Sequence, residues 1–134
     1  MAKRESQARR LAVHLARVCA ENRCRDVAVL DLRRVSPVTQ FFVIASGTSP
    51  RQMRAAANYV AEAGQELHQK PFGVEGLEKA GETEEARWSL VDYVDVVVHL
   101  FSADSRTYYD LELLWGDAPR IDWQKGWTPR QEGE

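Results

Sequence analysis

The sequence predicts an α/β fold: a mixed β-sheet flanked by helices, in the order helix, strand, strand, helix, strand, strand, helix. Three observations carry that expectation. Val38–Ala45 and Val94–Phe101 are short apolar runs rich in β-branched and aromatic residues, the signature of buried strands. Between them, Ser49-Pro50-Arg51-Gln52 opens a segment whose apolar residues recur at helical spacing. A helix between two strand pairs permits a crossover connection, and hence a sheet of mixed direction with helices packed on it.

In the first helix, Glu5 to Ala20, Leu11, Leu15 and Val18 form one stripe that Ala8 extends, leaving Arg9, Arg10 and Arg17 to water. Val27-Ala28-Val29-Leu30 is a short strand running on to Asp31-Leu32, and Arg33 to Pro37 breaks it. Val38–Ala45 is apolar on both alternations, so it belongs inside a covered sheet. In the central helix, Ser49 is the N-cap, Pro50 takes the first helical position and Gln52 completes a capping box. Met53, Ala56, Ala57, Val60, Gly64 and Leu67 mark its core stripe, and Pro71 is expected to stop it. Residues 71–86 are Gly- and Glu-rich, a loop with a short extended piece near Val74. Trp88–Asp92 and Val94–Phe101 read as strands around a tight turn, the second placing Val94, Val96, Val98 and Leu100 on one face and Val97, His99 and Phe101 on the other. Ser102 or Asp104 can cap a last helix through Tyr108, Leu111 and Trp115. Residues 1–118 thus form one domain, and 119–134 an extension that wraps or hangs loose.

Composition narrows the function classes. With 44% hydrophobic and 28% charged residues, the chain has the make-up of a globular domain and not of a disordered one. No apolar run reaches the roughly 18–20 residues a membrane helix needs, and the basic start lacks the apolar block of a secretory signal, so the cytoplasm is the expected location. The net charge of −2 hides an asymmetry: basic residues outnumber acidic ones two to one in residues 1–70, and the balance reverses beyond. This is not the profile of a groove-tracking nucleic-acid binder, and sequence-specific nucleic-acid binding is not expected. An acidic second half would favour encounter with a basic protein, or serve solubility alone. Cys19 and Cys24 are separated by four residues with no second pair, the pattern of ordinary thiols and not of a zinc site.

Catalytic chemistry is hard to assemble from these residues. Gly47-Thr48-Ser49, after a buried strand and before a helix, is a natural place for an anion, but capping accounts for the same residues. Neither the second Gly and Lys of a phosphate loop nor a dinucleotide fingerprint is present. A nucleotidyl-transfer site needs two or three carboxylates converging on Mg²⁺, yet no Asp occurs between Gly47 and Asp92. Asp92 and Asp95 face oppositely on one strand, unless a turn at Val94 brings them together. A nucleotide-dependent transferase using Gly47, Ser49, Asp92 and Asp95 is therefore the alternative class. His14 borders the first helix's stripe, His68 ends the second helix, and His99 reads as a packing residue in an apolar strand. No nucleophile–base pair, metal site or cofactor site emerges. What remains is a contact surface: Trp88 follows acidic Glu82, Glu84 and Glu85 and precedes Asp92, Tyr93 and Asp95, the make-up of a protein-binding hot spot for a basic target, or of a core Trp with charged neighbours.

Four ordered blocks resemble the ribosomal silencing factor (Iojap-related) family. They are Val29-Leu30-Asp31-Leu32; Ser36-x-x-Thr39-x-Phe41-Phe42-Val43-Ile44-Ala45-Ser46-Gly47-Thr48-Ser49-x-Arg51-Gln52; Trp88-x-Leu90-Val91-Asp92-Tyr93-x-Asp95-Val96-Val97-Val98-His99-Leu100-Phe101; and Tyr109-Asp110-Leu111-Glu112-Leu113-Leu114-Trp115-Gly116-Asp117-Ala118. The resemblance extends from the first helix to Ala118, with the tail outside the pattern. It implies a nucleotidyltransferase-like sheet without the metal carboxylates, and no enzyme activity. It also implies binding to the large ribosomal subunit through ribosomal protein uL14, steric blocking of subunit joining, and lowered translation when nutrients run short. An assembly role on the same surface and a homodimer when free are further implications. Carried over by position, the partner-binding residues are Trp88, Asp92 and Asp95, with Tyr93 and His99 beside them. Two positions depart from the family pattern. Gln40 stands where an Asp is usual, and Val94 where a turn Gly is usual; since a β-branched residue disfavours positive φ, the hairpin is expected to use another turn type.

Overall fold

The computed structural model describes residues 2–75, 88–102, 106, 110, 112 and 115–128. The expected last helix with Tyr108 and Leu111, and the acidic loop of Glu82, Glu84 and Glu85, lie outside those residues.

Helix α1 spans Ala2–Glu21 and turns Ala8, Leu11, Ala12, Leu15, Ala16 and Cys19 into the core. The stripe ends on Cys19 and leaves Val18 half-buried, because Cys19, four residues past Leu15, stays on the same side of a 3.6-residue helix. Its C-terminus is a Schellman motif. Arg23 takes a left-handed φ of 69°, its N–H reaches the Ala20 carbonyl at 3.2 Å, and the Cys24 N–H reaches the Cys19 carbonyl at 3.0 Å. Strands β1 (Arg25–Asp31) and β2 (Phe41–Gly47) follow. β2 starts later than the apolar run suggests: the Ser36 hydroxyl accepts the N–H groups of Val38 and Thr39 in a turn, and Val38 is left exposed.

Helix α2 (Pro50–Ala63) begins as the sequence specifies, with Ser49 Oγ accepting the Gln52 N–H at 3.1 Å. The reciprocal arm lands one residue early: Gln52 Oε1 accepts the Thr48 N–H at 2.8 Å, while its amide nitrogen donates to the Asn22 carbonyl at the end of α1. A 3₁₀ turn, Gly64–Leu67, continues α2, and His68 ends it at φ 58°, three residues before the expected proline stop. The extended piece near Val74 is a strand, β3 (Gly73–Glu75), followed by β4 (Trp88–Asp92) and β5 (Val96–Ser102).

The five strands lie in the order β1-β2-β5-β4-β3, with β2 and β5 parallel and the other pairs antiparallel. β5 is central and buried along almost its whole length. Phe41, Val43, Ala45, Val91, Val96, Val98 and Leu100 point to one side and form the main core with α1 and α2. Leu30, Ile44 and Phe101 point to the other, where Ala118 and Trp115 pack. Val94 does not continue the β5 face; it sits in the hairpin, half-exposed.

The chain past Ala118 is laid along the open edge of β1. Asp31 donates its N–H to the Pro119 carbonyl, and Ile121 donates to that of Val29. The Trp123 indole, buried, donates to the Val27 carbonyl at 2.9 Å, and Arg17 of α1 donates to the Trp123 carbonyl at 3.0 Å. The unpaired backbone groups of an edge strand are thereby covered by the chain itself.

Candidate docking face

The sheet side opposite α1 and α2 carries most of the sequence-predicted site. Alternation along β4 puts Trp88, Leu90 and Asp92 on it, and the register sets these opposite Phe101, His99 and Val97 of β5. The parallel pairing then sets Val97 and His99 beside Phe42 and Ile44 of β2. Rings make a continuous row. Trp88 stacks on Phe101 with centroids 5.2 Å apart, Phe42 meets the His99 ring edge-on at 4.5 Å, and Trp115 meets Phe42 edge-on at 6.0 Å. Trp88 is 38% exposed, whereas Phe42, Leu90 and Trp115 are half-buried.

His99 forms the floor of this row and is fixed in one form. The Trp88 indole N–H donates to His99 Nδ1 at 3.1 Å, so the proton of the neutral ring sits on Nε2. Burial lowers the His99 pKa to about 4, so the ring is neutral near pH 7. Nε2 itself is buried, with no hydrogen-bond partner among the described residues.

The other predicted residues divide. The Asp92 carboxylate accepts the Val94 N–H at 2.7 Å, and the Asp95 backbone carbonyl accepts the N–H groups of Gln40 and Phe41, which fastens the hairpin to β2. Both side chains are half-buried at one end of the sheet. Tyr93 lies on the opposite side, in the main core. Its hydroxyl donates to the Val60 carbonyl at 2.6 Å and accepts the Gly64 N–H at 3.2 Å, and desolvation raises its pKa. A β-carbon on Gly64 would stand 2.5 Å from the Tyr93 ring, so the glycine is what admits the ring. Trp88, His99 and Asp92 are thus brought together, Asp95 stands at their margin, and Tyr93 is a packing residue. Phe42, Leu90 and Trp115 complete the face: Leu90 follows by parity from Trp88 and Asp92, whereas Phe42 joins only through pairing with β5 across 55 residues and Trp115 only through packing on Phe42.

The transferase alternative comes apart in the fold. Phe41, next to Asp95, and Gly47 mark the two ends of β2, so Gly47 and Ser49 stand roughly 20 Å from Asp92 and Asp95. At α2 the Thr48 and Gln52 N–H groups that could greet a phosphate are engaged by Gln52 Oε1 and Ser49 Oγ, and Gly47 is needed to admit the Met53 side chain. Among the described residues, no group of three or more His, Cys, Asp or Glu could hold a metal. Among the described residues, one polar cluster ties the C-terminal segment to β1 and β2. Glu112 bridges Arg106 at 2.8 Å and Arg120 at 2.7 Å, and Arg106 also donates to Ser46 Oγ and the Asp26 carbonyl. Burial would raise the Glu112 pKa, but the two guanidinium groups hold it below the usual range.

Among the described residues, fold and face define an α/β protein with a mixed five-stranded sheet whose side opposite α1 and α2 is aromatic and half-covered. The sequence model of the family described as "Ribosomal silencing factor during starvation" matches residues 5–134, running past Ala118 where the sequence pattern was expected to end. The chain belongs to that ribosomal silencing factor family. It is 41% identical over 107 residues to the ribosomal silencing factor RsfS of Bacillus subtilis, covering 80% of this chain and 86% of that one. A Chromobacterium violaceum crystal structure superposes with a TM-score of 0.69 at 30% identity, covering 96% of this chain and 92% of that one. A mouse protein named mitochondrial assembly of ribosomal large subunit protein 1 is 30% identical over 104 residues, 75% of this chain and 43% of its own length.

Proposed function

We propose that this protein is a non-catalytic, cytoplasmic repressor of translation: it docks the sheet face opposite α1 and α2 on ribosomal protein uL14 of the large subunit and sterically keeps the small subunit from joining. The observation that carries the reading is the row Trp88–His99–Phe42–Trp115, an aromatic surface on a rigid sheet flanked by Asp92 and Glu75. Aromatic anchors supply most of the free energy of such contacts, and the acidic flank steers them toward a basic surface. No cofactor, metal or membrane enters the mechanism, and no described helix is long and apolar enough to cross a membrane. Free protein would pair through the same apolar face as a homodimer.

Co-sedimentation with purified large subunits tests this. Trp88→Ala should weaken binding by about 2 kcal/mol or more, roughly thirty-fold, with an unchanged circular dichroism spectrum. A folded Trp88→Ala protein that pellets with large subunits as well as wild type would sink the site. The mouse relative's name favours a second reading, a role in large-subunit assembly on the same face. Pull-down from growing cells separates the two, since an assembly factor enriches precursor particles over mature subunits.

A further inference from the structure

The Schellman motif that ends α1 places two cysteines where its geometry brings side chains together. Cys19 is the C3 residue and Cys24 the C″ residue, the two positions whose side chains meet in this motif. The 3.0 Å bond between Cys24 N–H and the Cys19 carbonyl, with standard bond lengths, holds their α-carbons within about 6.9 Å. Disulfides span roughly 4.4–6.8 Å. Both side chains belong to the main core; both thiols are free, Cys19 is fully buried and Cys24 is 8% exposed. The Gln52 amide, anchored by its bond to the Asn22 carbonyl, donates to Cys24 Sγ at 3.4 Å.

We propose that Cys19 and Cys24 form an oxidation site, a thiol pair that a hydroperoxide converts into an intrachain disulfide across the end of α1. The two thiols have different parts. The bond from Cys19 holds the Cys24 pKa below that of an ordinary thiol, with help from Gln52 and against burial; that same bond, then burial, pushes Cys19 well up. Cys24 is also the one solvent reaches, so its thiolate is the attacking group. The Cys24 thiol gives its proton to solvent and the thiolate sulfur attacks one peroxide oxygen: an S–O bond forms, the O–O bond breaks, and the departing hydroxide (or alkoxide) takes a proton back from solvent. The sulfur is oxidised by two electrons and the peroxide is reduced. Cys19 sulfur then attacks the Cys24 sulfenic acid; the S–S bond forms, the S–O bond breaks, and the hydroxide leaves as water with the Cys19 proton.

The test is a titration of the native protein with hydrogen peroxide, followed by alkylation, unfolding and a non-reducing tryptic digest. Cleavage after Arg17, Arg23 and Arg25 yields the peptides Val18–Arg23 and Cys24–Arg25, which the disulfide joins at about 2 Da less than their sum. The expected result is that joined peptide as the main product, lost on adding dithiothreitol, with both thiols disappearing together. In Cys19→Ala the reaction should stop at a Cys24 sulfenic acid that dimedone traps. Sulfinic acid at Cys24 without the joined peptide in the wild-type protein would overturn the proposal. So would survival of both thiols under a peroxide excess that oxidises the urea-unfolded chain.

Discussion

The two sides of the sheet are cut from the same strands, yet they meet different fates. On one, Phe41, Val43, Ala45, Val96, Val98 and Leu100 are fully buried beneath α1 and α2. On the other, Phe42, Leu90 and Trp88 keep part of their surface in water, with Trp115 and Ala118 giving partial cover. A strand apolar on both alternations demands two covers. Where the second is incomplete, apolar side chains form a surface instead of a core, and a surface of that kind is usually a place of contact. The Trp88–His99 hydrogen bond fixes the exposed ring on this second side, so it is ordered before anything docks.

Neighbours Phe41 and Phe42 test that contrast most sharply. Phe41→Ala should cost about 3–5 kcal/mol of stability, since the ring is wholly buried and the Arg33 guanidinium stands over it at 5.2 Å. Phe42→Ala should cost less than half of that, because its ring already meets solvent. Urea unfolding at unchanged m-value measures both, and equal losses would erase the distinction between the sides.

His99 gives the next largest effect. Its folded pKa, lowered by burial to about 4, lies below the unfolded value of about 6.5. Between those values the unfolded chain binds more protons than the folded one. The stabilisation of the neutral ring is therefore complete above about pH 6.5 and is lost as pH falls toward 4, by about 3 kcal/mol in all. Asp31 and Glu112, both held below their ordinary values, contribute to acid lability only at the low end of that window. Urea midpoints between pH 4.5 and 7 should fall steadily with acidity in the wild type and flatten in His99→Gln; a flat wild-type profile would mean the ring is not sealed.

Most of the architecture was legible because it is written in local chemistry. The Ser49-Pro50 start of α2, its Met53–Val60 stripe and the alternation of Val97, His99 and Phe101 against Val96, Val98 and Leu100 all follow from period and capping. Errors lie where a residue adopts a conformation its type disfavours. His68 ends α2 in the left-handed region before Pro71 can act, and Val94 does the same in the hairpin that was expected to avoid it. The face was half legible. Trp88, Asp92 and His99 share it by parity within one hairpin, but Phe42 and Trp115 join only through pairing of β2 with β5 and packing of a distant segment. Tyr93 was misjudged because its acidic neighbours suggested a surface, while its hydroxyl was destined for the helix end.

Tyr93 should therefore matter to stability and not to docking. Tyr93→Phe keeps the ring but removes the hydroxyl's buried bonds to the Val60 carbonyl and the Gly64 N–H. A loss of about 1–2 kcal/mol in urea unfolding is expected, with unchanged co-sedimentation on large subunits. Weakened binding without a stability loss would move Tyr93 back among the contact residues.

The smallest effect has the opposite sign. Val94 sits at φ 72°, where its branched β-carbon crowds the backbone, in a turn closed by the Asp95 N–H to the Tyr93 carbonyl at 2.9 Å. The turn is retained because its surroundings over-determine it: Asp92 accepts the Val94 N–H, Tyr93 donates its N–H to the Val96 carbonyl, and the Asp95 carbonyl is bound to β2. Val94→Gly removes a conformational cost of about 1–2 kcal/mol and adds roughly 0.5–1 kcal/mol of unfolded-chain entropy. The half-exposed side chain gives up little burial, so the net expectation is a gain of up to about 1 kcal/mol, read as a higher urea midpoint at constant m. Binding should not change if the hairpin tip only supports the aromatic row; a variant that grows more stable yet docks less well would show that the tip itself touches the partner.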